Sequence, residues 1–185
     1  MKIIVGIDPG KRGGICAIDE NNRILLLKDI SSDYELILYR FSQINDEIGY
    51  DKIDSIFLES AISVQTNRTI NNQLFFMNGF ITGVAYALGI NVVLTQPGHW
   101  KKVIGVTSDK STSIEKAIHL FPSAIEEITF AHGSYKDGIS EALLIAYYGM
   151  HLNKFYPEGS QMKEGKYVKN TKAKKKATGQ SEIDI

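Results

Sequence analysis

The feature that most restricts the fold is a pair of short apolar runs that each end in an acidic residue. The first run begins at Ile3 and ends at Asp8, directly before a Pro-Gly turn. The second run begins at Ile56 and ends at Glu59. Short runs that are apolar at nearly every position are typical of strands buried on both faces of a sheet. The chain is therefore predicted to form a sheet with carboxylates at the ends of its strands.

The rest of the sequence alternates between strand and helix patterns. Apolar runs bounded by turn residues predict strands over residues 2–8, 13–19, 23–30, 54–59 and 91–95. Helical periodicity predicts helices over residues 34–48, 67–88, 110–121 and 137–153, with Gly89 ending the second and Asp109 capping the third. Pro97-Gly98 is interpreted as a turn that closes the fifth strand. A helix between strands that return to one sheet implies a crossover, so the predicted fold class is α/β.

Composition restricts the compartment. The 185 residues include one cysteine, Cys16, so an internal disulfide and a stapled secreted fold are excluded. Cys16 lies among apolar neighbours and is expected to be buried. The N-terminal apolar run is too short for a signal peptide, and no run approaches the roughly 18 apolar residues of a membrane span. We expect a cytoplasmic protein with no membrane partner.

The distribution of charge divides the chain in two. The 21 basic and 21 acidic residues cancel, but residues 156–185 hold seven lysines and four acids, a net charge of +3 that leaves −3 on residues 1–155. The C-terminal part has few apolar residues and is predicted to be a flexible tail after one domain over residues 1–155. A lysine cluster in this tail either binds a polyanion or only keeps the tail solvated. The cluster comprises Lys172, Lys174, Lys175 and Lys176.

Four acidic residues at the ends of predicted elements form a candidate site. If the strands before Asp8 and Glu59 are adjacent and parallel, both carboxylates emerge at one edge of the sheet. Asp137 and Glu141 are four residues apart at the start of the last helix and share a face. Gathered carboxylates repel unless a cation neutralises them, and an oxygen-only set favours Mg²⁺ or Mn²⁺. The alternative is that Asp8 only begins a turn, while Glu59 and Asp137 cap helices.

Four segments resemble, in order, the motifs of the RuvC family of Holliday junction resolvases. Ile-Val-Gly-Ile-Asp-Pro-Gly at 4–10 is similar to the first motif, and Phe-Leu-Glu at 57–59 is similar to the second. Residues 137–146 resemble the third motif. Trp-Lys-Lys-Val-Ile-Gly at 100–105, followed by Lys110-Ser111, resembles the family's segment of a basic residue, a Val-Val-Gly-like run and a lysine that begins a helix. The likeness spans roughly residues 3–150.

The resemblance implies an RNase H-like fold, with a five-stranded mixed sheet in the order 3-2-1-4-5 flanked by helices. It also implies a homodimer that binds four-way DNA junctions and makes two symmetric cuts, leaving 5′-phosphate ends. Carried over to this sequence, Asp8 would bridge two Mg²⁺ ions, for which Mn²⁺ would substitute, and Glu59 and Glu141 would be further ligands. Asp137 would be the fourth acid, and Lys110 would stabilise phosphate charge near the scissile bond.

One departure from the bacterial pattern changes the expected specificity. The third-motif acids are four residues apart here and end in Glu141, whereas the bacterial motif has an acid or His, two residues and then Asp. Residues that are three or four positions apart lie on the same face of a helix, so the site is compatible with either spacing. The spacing and the Lys-rich tail are more similar to bacteriophage and poxvirus resolvases. The phage-type branch, acting in the cytoplasm of a bacterial host, is therefore expected, with forks and flaps as further substrates.

Other residues are candidates for DNA contact or assembly. The candidate DNA contacts are Lys101, Lys102 and Lys110 near the proposed site, and Gln65 and Arg68 after the fourth strand, where a plain polar loop is the alternative. Trp100 is expected to pack in the core rather than stack on a base. His132 is a candidate extra acid or ligand. Gly79 and Gly83 permit close approach either to a dimer partner or to the protein's own sheet.

The predicted function is a Mg²⁺-dependent, structure-selective DNA endonuclease. One alternative is an ATP-binding protein of the actin-like superfamily that uses the Asp8-Pro9-Gly10 turn, although it would need a second phosphate loop and a duplicated domain. The other alternative is a non-catalytic module that binds branched DNA and whose acids only cap helices.

Overall fold

The computed structural model describes residues 1–60, 72–129 and 133–155, together with the backbone of 161–163 and 166–168. One sheet contains the strands β1 (Ile3–Asp8), β2 (Gly13–Asp19), β3 (Ile24–Ile30), β4 (Ser55–Glu59) and β5 (Val92–Thr95). The strand order is β3-β2-β1-β4-β5. The pairs β1–β2 and β2–β3 are antiparallel, whereas β1–β4 and β4–β5 are parallel. The predicted α/β class and the order 3-2-1-4-5 are confirmed.

Helices flank this sheet. In the described part of the chain they are α1 (Tyr34–Glu47), α2 (Asn72–Ala87), α3 (Pro97–Ile104), α4 (Lys110–Leu120), α5 (Ile125–Ile128), α6 (Asp137–Met150) and α7 (Leu152–Phe155). Asp109 caps α4 as predicted, because its side chain accepts the N–H of Ser111. Gly89 follows α2 with the positive φ of 75° that often ends helices. The predicted first turn of α2, at 67–71, lies outside the described residues.

The predicted turn at Pro97-Gly98 is wrong, because these residues begin α3. Proline is tolerated at the first helical position, where its missing N–H would have no partner within the helix. Gln96 is the extended residue before the helix, and Gly105 ends it with a φ of 81°. A Pro-Gly pair after a strand therefore starts a helix here, and this helix places Trp100 and Lys101 beside the strand ends.

The sheet separates two apolar layers. On one face, α1 and α2 pack over Ile3, Val5 and Ile7 of β1. On the other face, α3, α4 and α6 pack over Ile4. Successive side chains of a strand point to opposite faces, which explains why one short run serves both layers. Cys16 is buried in the second layer, as expected.

Helix α6 lies directly on the sheet because glycines face it. A Cβ atom on Gly6 would stand 2.3 Å from the carbonyl oxygen of Ala142, and one on Gly14 would stand 2.6 Å from that of Gly138. Only glycine allows backbone to approach backbone this closely. The burial of α6 consequently extends beyond its predicted apolar face to every residue from 138 to 146. This contact sets the position of the acids at the start of α6.

Two further strands, β6 (Gln161–Lys163) and β7 (Lys166–Val168), pair antiparallel in a segment where the sequence predicts no strand. The flexible tail and the domain boundary at residue 155 stay predictions. Among the described residues, no helix is long and apolar enough to cross a membrane.

Candidate active site

Asp8 and Glu59 stand at the same edge of the sheet. Strands β1 and β4 are adjacent and parallel, and Ile7 pairs with Leu58. The next residue on each strand is the acid, so both carboxylates emerge where the strands end. This is the arrangement that the sequence predicts for the first two acids.

Helix α6 brings the other two acids to this edge. A Cβ on Gly138 would lie 1.9 Å from the carbonyl oxygen of Arg12, so the first turn of α6 sits tightly against the β1–β2 turn. Asp137 and Glu141 then line one cleft of about 450 Å³ together with Asp8. The spacing of four residues therefore does place both helix acids at a common surface, as predicted.

Burial and mutual repulsion raise the pKa of both strand acids. For Asp8, burial is the main cause, and the charges of Glu59 and Glu141 add to it, so the pKa rises to about 8. The N–H of Gly10, which donates to Asp8 Oδ1 at 3.0 Å, opposes this rise. Burial raises the pKa of Glu59 to about 7, against the opposing hydrogen bond from Trp100. A cation near these groups would favour their ionised forms.

The helix acids differ because each has a lysine partner. Lys101 Nζ donates to Glu141 Oε1 at 2.6 Å, and Ser113 Oγ donates to the same oxygen at 3.3 Å. Lys110 Nζ forms an ion pair with Asp137 Oδ2, and this hydrogen bond raises the pKa of Lys110. The side chain of Lys110 is 69% exposed, so its ammonium group is accessible to a phosphate.

Two basic residues of the cleft are not among the site residues predicted from the sequence. Lys11 and Arg12 line the cleft, and they also line an adjoining cavity of about 280 Å³ that includes Asp137 and Lys136. Arg12 and Lys11 follow the Asp-Pro-Gly turn directly, and a basic pair beside a proposed catalytic acid was the signal that could have identified them.

Trp100 contacts the site from within the core. It is fully buried, which confirms the predicted packing role. Its indole Nε1–H donates to Glu59 Oε1 at 2.9 Å. The two residues are 41 positions apart in the chain, and nothing in the sequence pattern predicts this hydrogen bond.

The remaining predicted contacts are placed as follows. Lys101 and Lys110 line the cleft, and Lys102 is exposed on α3. Several candidates lie outside the described residues, namely Gln65, Arg68, His132, Lys172, Lys174, Lys175 and Lys176.

The alternative for Asp8, that it begins a turn, describes one of its contacts, whereas the alternative that Glu59 and Asp137 cap helices does not explain theirs. Asp8 does accept the Gly10 N–H of its turn. Residue 136, which precedes α6, makes no side-chain cap, and Asp137 pairs with Lys110 instead. Glu59 ends β4 and is bound by Trp100. Two of the three acids therefore have contacts that helix capping does not explain.

The donor chemistry of the site fits a hard divalent cation. All four acids supply carboxylate oxygens, and repulsion among them contributes to the raised pKa of Asp8. Within the described ranges, however, no three Asp, Glu, His or Cys side chains are close enough to hold one ion together. A metal ion at Glu141 or Asp137 has to share that carboxylate with a lysine ammonium group or displace it.

Comparison with solved structures identifies the fold. The chain is similar to Thermus thermophilus RuvC in complex with a Holliday junction substrate, with a TM-score of 0.59 and 13% identity, over 83% of this chain and 96% of that chain. Another structure of Thermus thermophilus RuvC matches with a TM-score of 0.56 and 14% identity, over 82% of this chain and 96% of the other. The yeast mitochondrial Holliday junction resolvase Ydc2 matches with a TM-score of 0.56 and 15% identity, over 82% of this chain and 79% of that chain.

No protein-family model matches the sequence, and no curated protein matches it. At identities this low, structural likeness shows the fold alone. The chain therefore has the RNase H-like fold of these resolvases, as the sequence motifs predicted.

Proposed function

We propose that this chain is a metal-dependent endonuclease that cuts branched DNA, above all four-way junctions. The observation that carries the proposal is the placement of acids from β1, β4 and α6 at one edge of a resolvase fold, where Asp8, Asp137 and Glu141 line a cleft that also contains Lys101 and Lys110. Open α/β sheets place their sites where strands end. Acids gathered there, in a cleft that also contains basic residues, suit hydrolysis of a phosphodiester.

Asp8, Glu59, Asp137 and Glu141 would hold the metal, two Mg²⁺ ions per site with Mn²⁺ as a substitute. When bound there, Mg²⁺ supplies Lewis-acid chemistry for in-line displacement at phosphorus. Water adds to phosphorus, the bond to the 3′ oxygen breaks, and the 3′ oxygen leaves with a proton, so the products are a 5′-phosphate and a 3′-hydroxyl.

The chain's own cations act on the substrate phosphates. Lys110 presents an exposed ammonium group at the cleft beside Asp137, so it is suited to stabilise charge that develops at the scissile phosphate. Lys101 holds Glu141 and lies in the same cleft. Lys11 and Arg12 extend the positive surface into the adjoining cavity, where they would hold the neighbouring sugar-phosphate backbone.

The proposed substrate follows from the similar proteins and from the third motif. One similar structure is a RuvC bound to a Holliday junction substrate, and another is a Holliday junction resolvase. The spacing between Asp137 and Glu141 extends the proposal to a phage-type enzyme that also cuts forks and flaps in the bacterial cytoplasm. Lys102, Arg68 and the tail lysines are proposed as further DNA contacts, because cations add affinity for any phosphate backbone. Gln65 is proposed as a neutral contact that donates hydrogen bonds to the DNA.

We also propose that the enzyme is a homodimer assembled through α2. Phe76 and Tyr86 are 68% and 61% exposed, and Gly79 and Gly83 lie between them at helical spacing. Among the described residues, a Cβ on either glycine would meet nothing within 4 Å, so these glycines do not serve packing on the protein's own sheet. An apolar stripe with small residues at its centre permits close approach of a second copy.

The dimer is tested by measuring molar mass with light scattering. Phe76→Asp places a charge in the stripe and is expected to halve the mass. Ile125→Asp is the matched control, because Ile125 is 46% exposed on α5, which packs on the opposite face of the sheet from α2. A wild-type monomer, or an unchanged mass for Phe76→Asp, would contradict the proposed interface.

The activity is tested with labelled four-way junction, fork, flap and duplex substrates in Mg²⁺. We expect the junction to be cut fastest, with symmetric nicks that a ligase can seal. Asp8→Asn should be inactive while still binding the junction. If the wild-type protein cuts no branched substrate in Mg²⁺ or Mn²⁺, the proposed function is wrong.

A further inference from the structure

Trp100 joins two of the candidate metal-binding acids through different parts of one side chain. The indole N–H donates to Glu59 Oε1 at 2.9 Å. The indole ring lies 5.3 Å from the ammonium nitrogen of Lys101, within the range of a cation–π contact. Lys101 in turn donates to Glu141 Oε1. A single buried residue therefore connects the acid of β4 with an acid of α6.

The position of Trp100 is set by the backbone around it. Thr95 of β5 pairs with Glu59 of β4, and α3 begins directly after β5. The backbone N–H of Trp100 donates to the carbonyl of Gln96 within the first turn of α3. The side chain of Trp100 is 0% exposed, so packing restricts it to one orientation.

Glu59 is held at its backbone as well. The amide of Asn78, on α2, donates to the carbonyl oxygen of Glu59 at 3.2 Å. The side chain then receives its directional contact from the indole, which can donate a hydrogen bond but cannot accept one. Because the indole engages only Oε1, it orients the carboxylate without competing for Oε2.

Packing alone does not explain this contact. A buried indole N–H needs an acceptor, but a backbone carbonyl would meet that need without placing a costly carboxylate beside the core. Partners that orient metal ligands in this way usually contribute strongly to metal affinity. We propose that Trp100 is a positioning residue that holds the Glu59 carboxylate in the orientation in which it binds a metal ion, an inference that rests on the proposed function.

The first test measures Mn²⁺ binding to the full chain from the electron paramagnetic resonance signal of free Mn²⁺. Trp100→Phe retains an aromatic ring over Lys101 and removes the N–H. We expect its dissociation constant for Mn²⁺ to rise by about tenfold or more. Phe41→Leu is the control for lost stability, because Phe41 is buried in the apolar layer on the opposite face of the sheet. It should lower the melting temperature and leave Mn²⁺ affinity unchanged.

The second test leaves Trp100 in place, so it does not require the Trp100→Phe variant to fold. Trp100 is the sole tryptophan of the chain, and its fluorescence therefore reports on the environment of Glu59. Adding Mg²⁺ to the wild-type protein should produce a saturable change in emission. Glu59→Gln should abolish this change, whereas Glu126→Gln, at an exposed position on α5, should retain it.

The outcomes separate this inference from the proposed function. If the wild-type protein binds no Mn²⁺, both are overturned. If Trp100→Phe binds Mn²⁺ as tightly as the wild type while Glu59→Gln does not, the positioning role is wrong and the metal site stands. The same conclusion follows if Mg²⁺ binds through Glu59 without any change in Trp100 emission.

Discussion

The acids at the strand ends and the acids of α6 lie at one site, but their carboxylates have different kinds of hydrogen-bond partner. Asp8 and Glu59 receive neutral N–H donors, from Gly10 and from Trp100, and the pKa of each is raised by burial. Asp137 and Glu141 instead pair with the ammonium groups of lysines. A neutral donor orients a carboxylate without neutralising its charge.

This difference assigns separate tasks to the two pairs. No ammonium group is hydrogen-bonded to the strand acids among the described residues, and a bound cation would favour their ionised forms, so these acids are the stronger candidates for holding a metal ion. The helix acids already hold Lys101 and Lys110 in the cleft. Removal of a helix acid should therefore disturb the lysines as much as any metal ion bound at the site.

The largest expected effect compares one acid from each pair. Glu59→Gln should slow junction cleavage by about a thousandfold or more, because several kcal/mol of charge stabilisation depend on the metal. Asp137→Asn should slow cleavage by only about tenfold, because Asp137 shares its charge with Lys110. Single-turnover rates in Mg²⁺ measure both. Equal losses in two variants of equal melting temperature would contradict the distinction.

The next effect concerns stability against pH in the presence of a chelator. In the unfolded chain both strand carboxyls ionise near pH 4, but their folded pKa values are about 8 for Asp8 and about 7 for Glu59. Between these values the folded state binds more protons, so the free energy of unfolding falls as pH rises. We expect a loss of at least about 1 kcal/mol between about pH 5 and about pH 8.

Urea unfolding of the wild type and of Asp8→Asn measures this loss. The variant has no proton to release at this position, so its free energy of unfolding should depend less on pH. Identical pH dependence in the two proteins would show that burial of Asp8 has no energetic cost.

The smallest effect tests the basic residues next to Asp137. Arg12→Ala should weaken junction binding by about tenfold at low salt and reduce the slope of log affinity against log salt by about 1, because one phosphate contact is lost. Fluorescence anisotropy without Mg²⁺ measures both quantities. Arg23→Ala is the matched control at an exposed position away from the cleft. An unchanged salt slope for Arg12→Ala would remove this residue from the DNA surface.

Local patterns predicted the strands and the placement of the acids. Each apolar run ends where its acid begins, so the positions of Asp8 and Glu59 at strand ends depend on neighbouring residues alone. The four-residue spacing of Asp137 and Glu141 likewise places them on one helix face whatever the rest of the fold does. The four motifs in order predicted the strand order that joins these parts.

Other features of the site depend on residues that are distant in the chain. Helix α3 was not predicted because a Pro-Gly pair is compatible with a turn and with the start of a helix. In the structure Pro97-Gly98 begins the helix, and Trp100 of that helix packs in the core. The exposure of Gly79 and Gly83 could not be predicted either, since glycine has no side chain whose polarity indicates a face.

The sequence by itself determined the α/β class, the strand ends and the four acids, because these follow from short-range periodicity and from motif order. Only the tertiary structure decided which partner each acid receives. The contacts of Trp100 with Glu59 and of Lys101 with Glu141 join residues 41 and 40 positions apart. Such contacts form only when β4, α3 and α6 pack together, so no local sequence pattern predicts them.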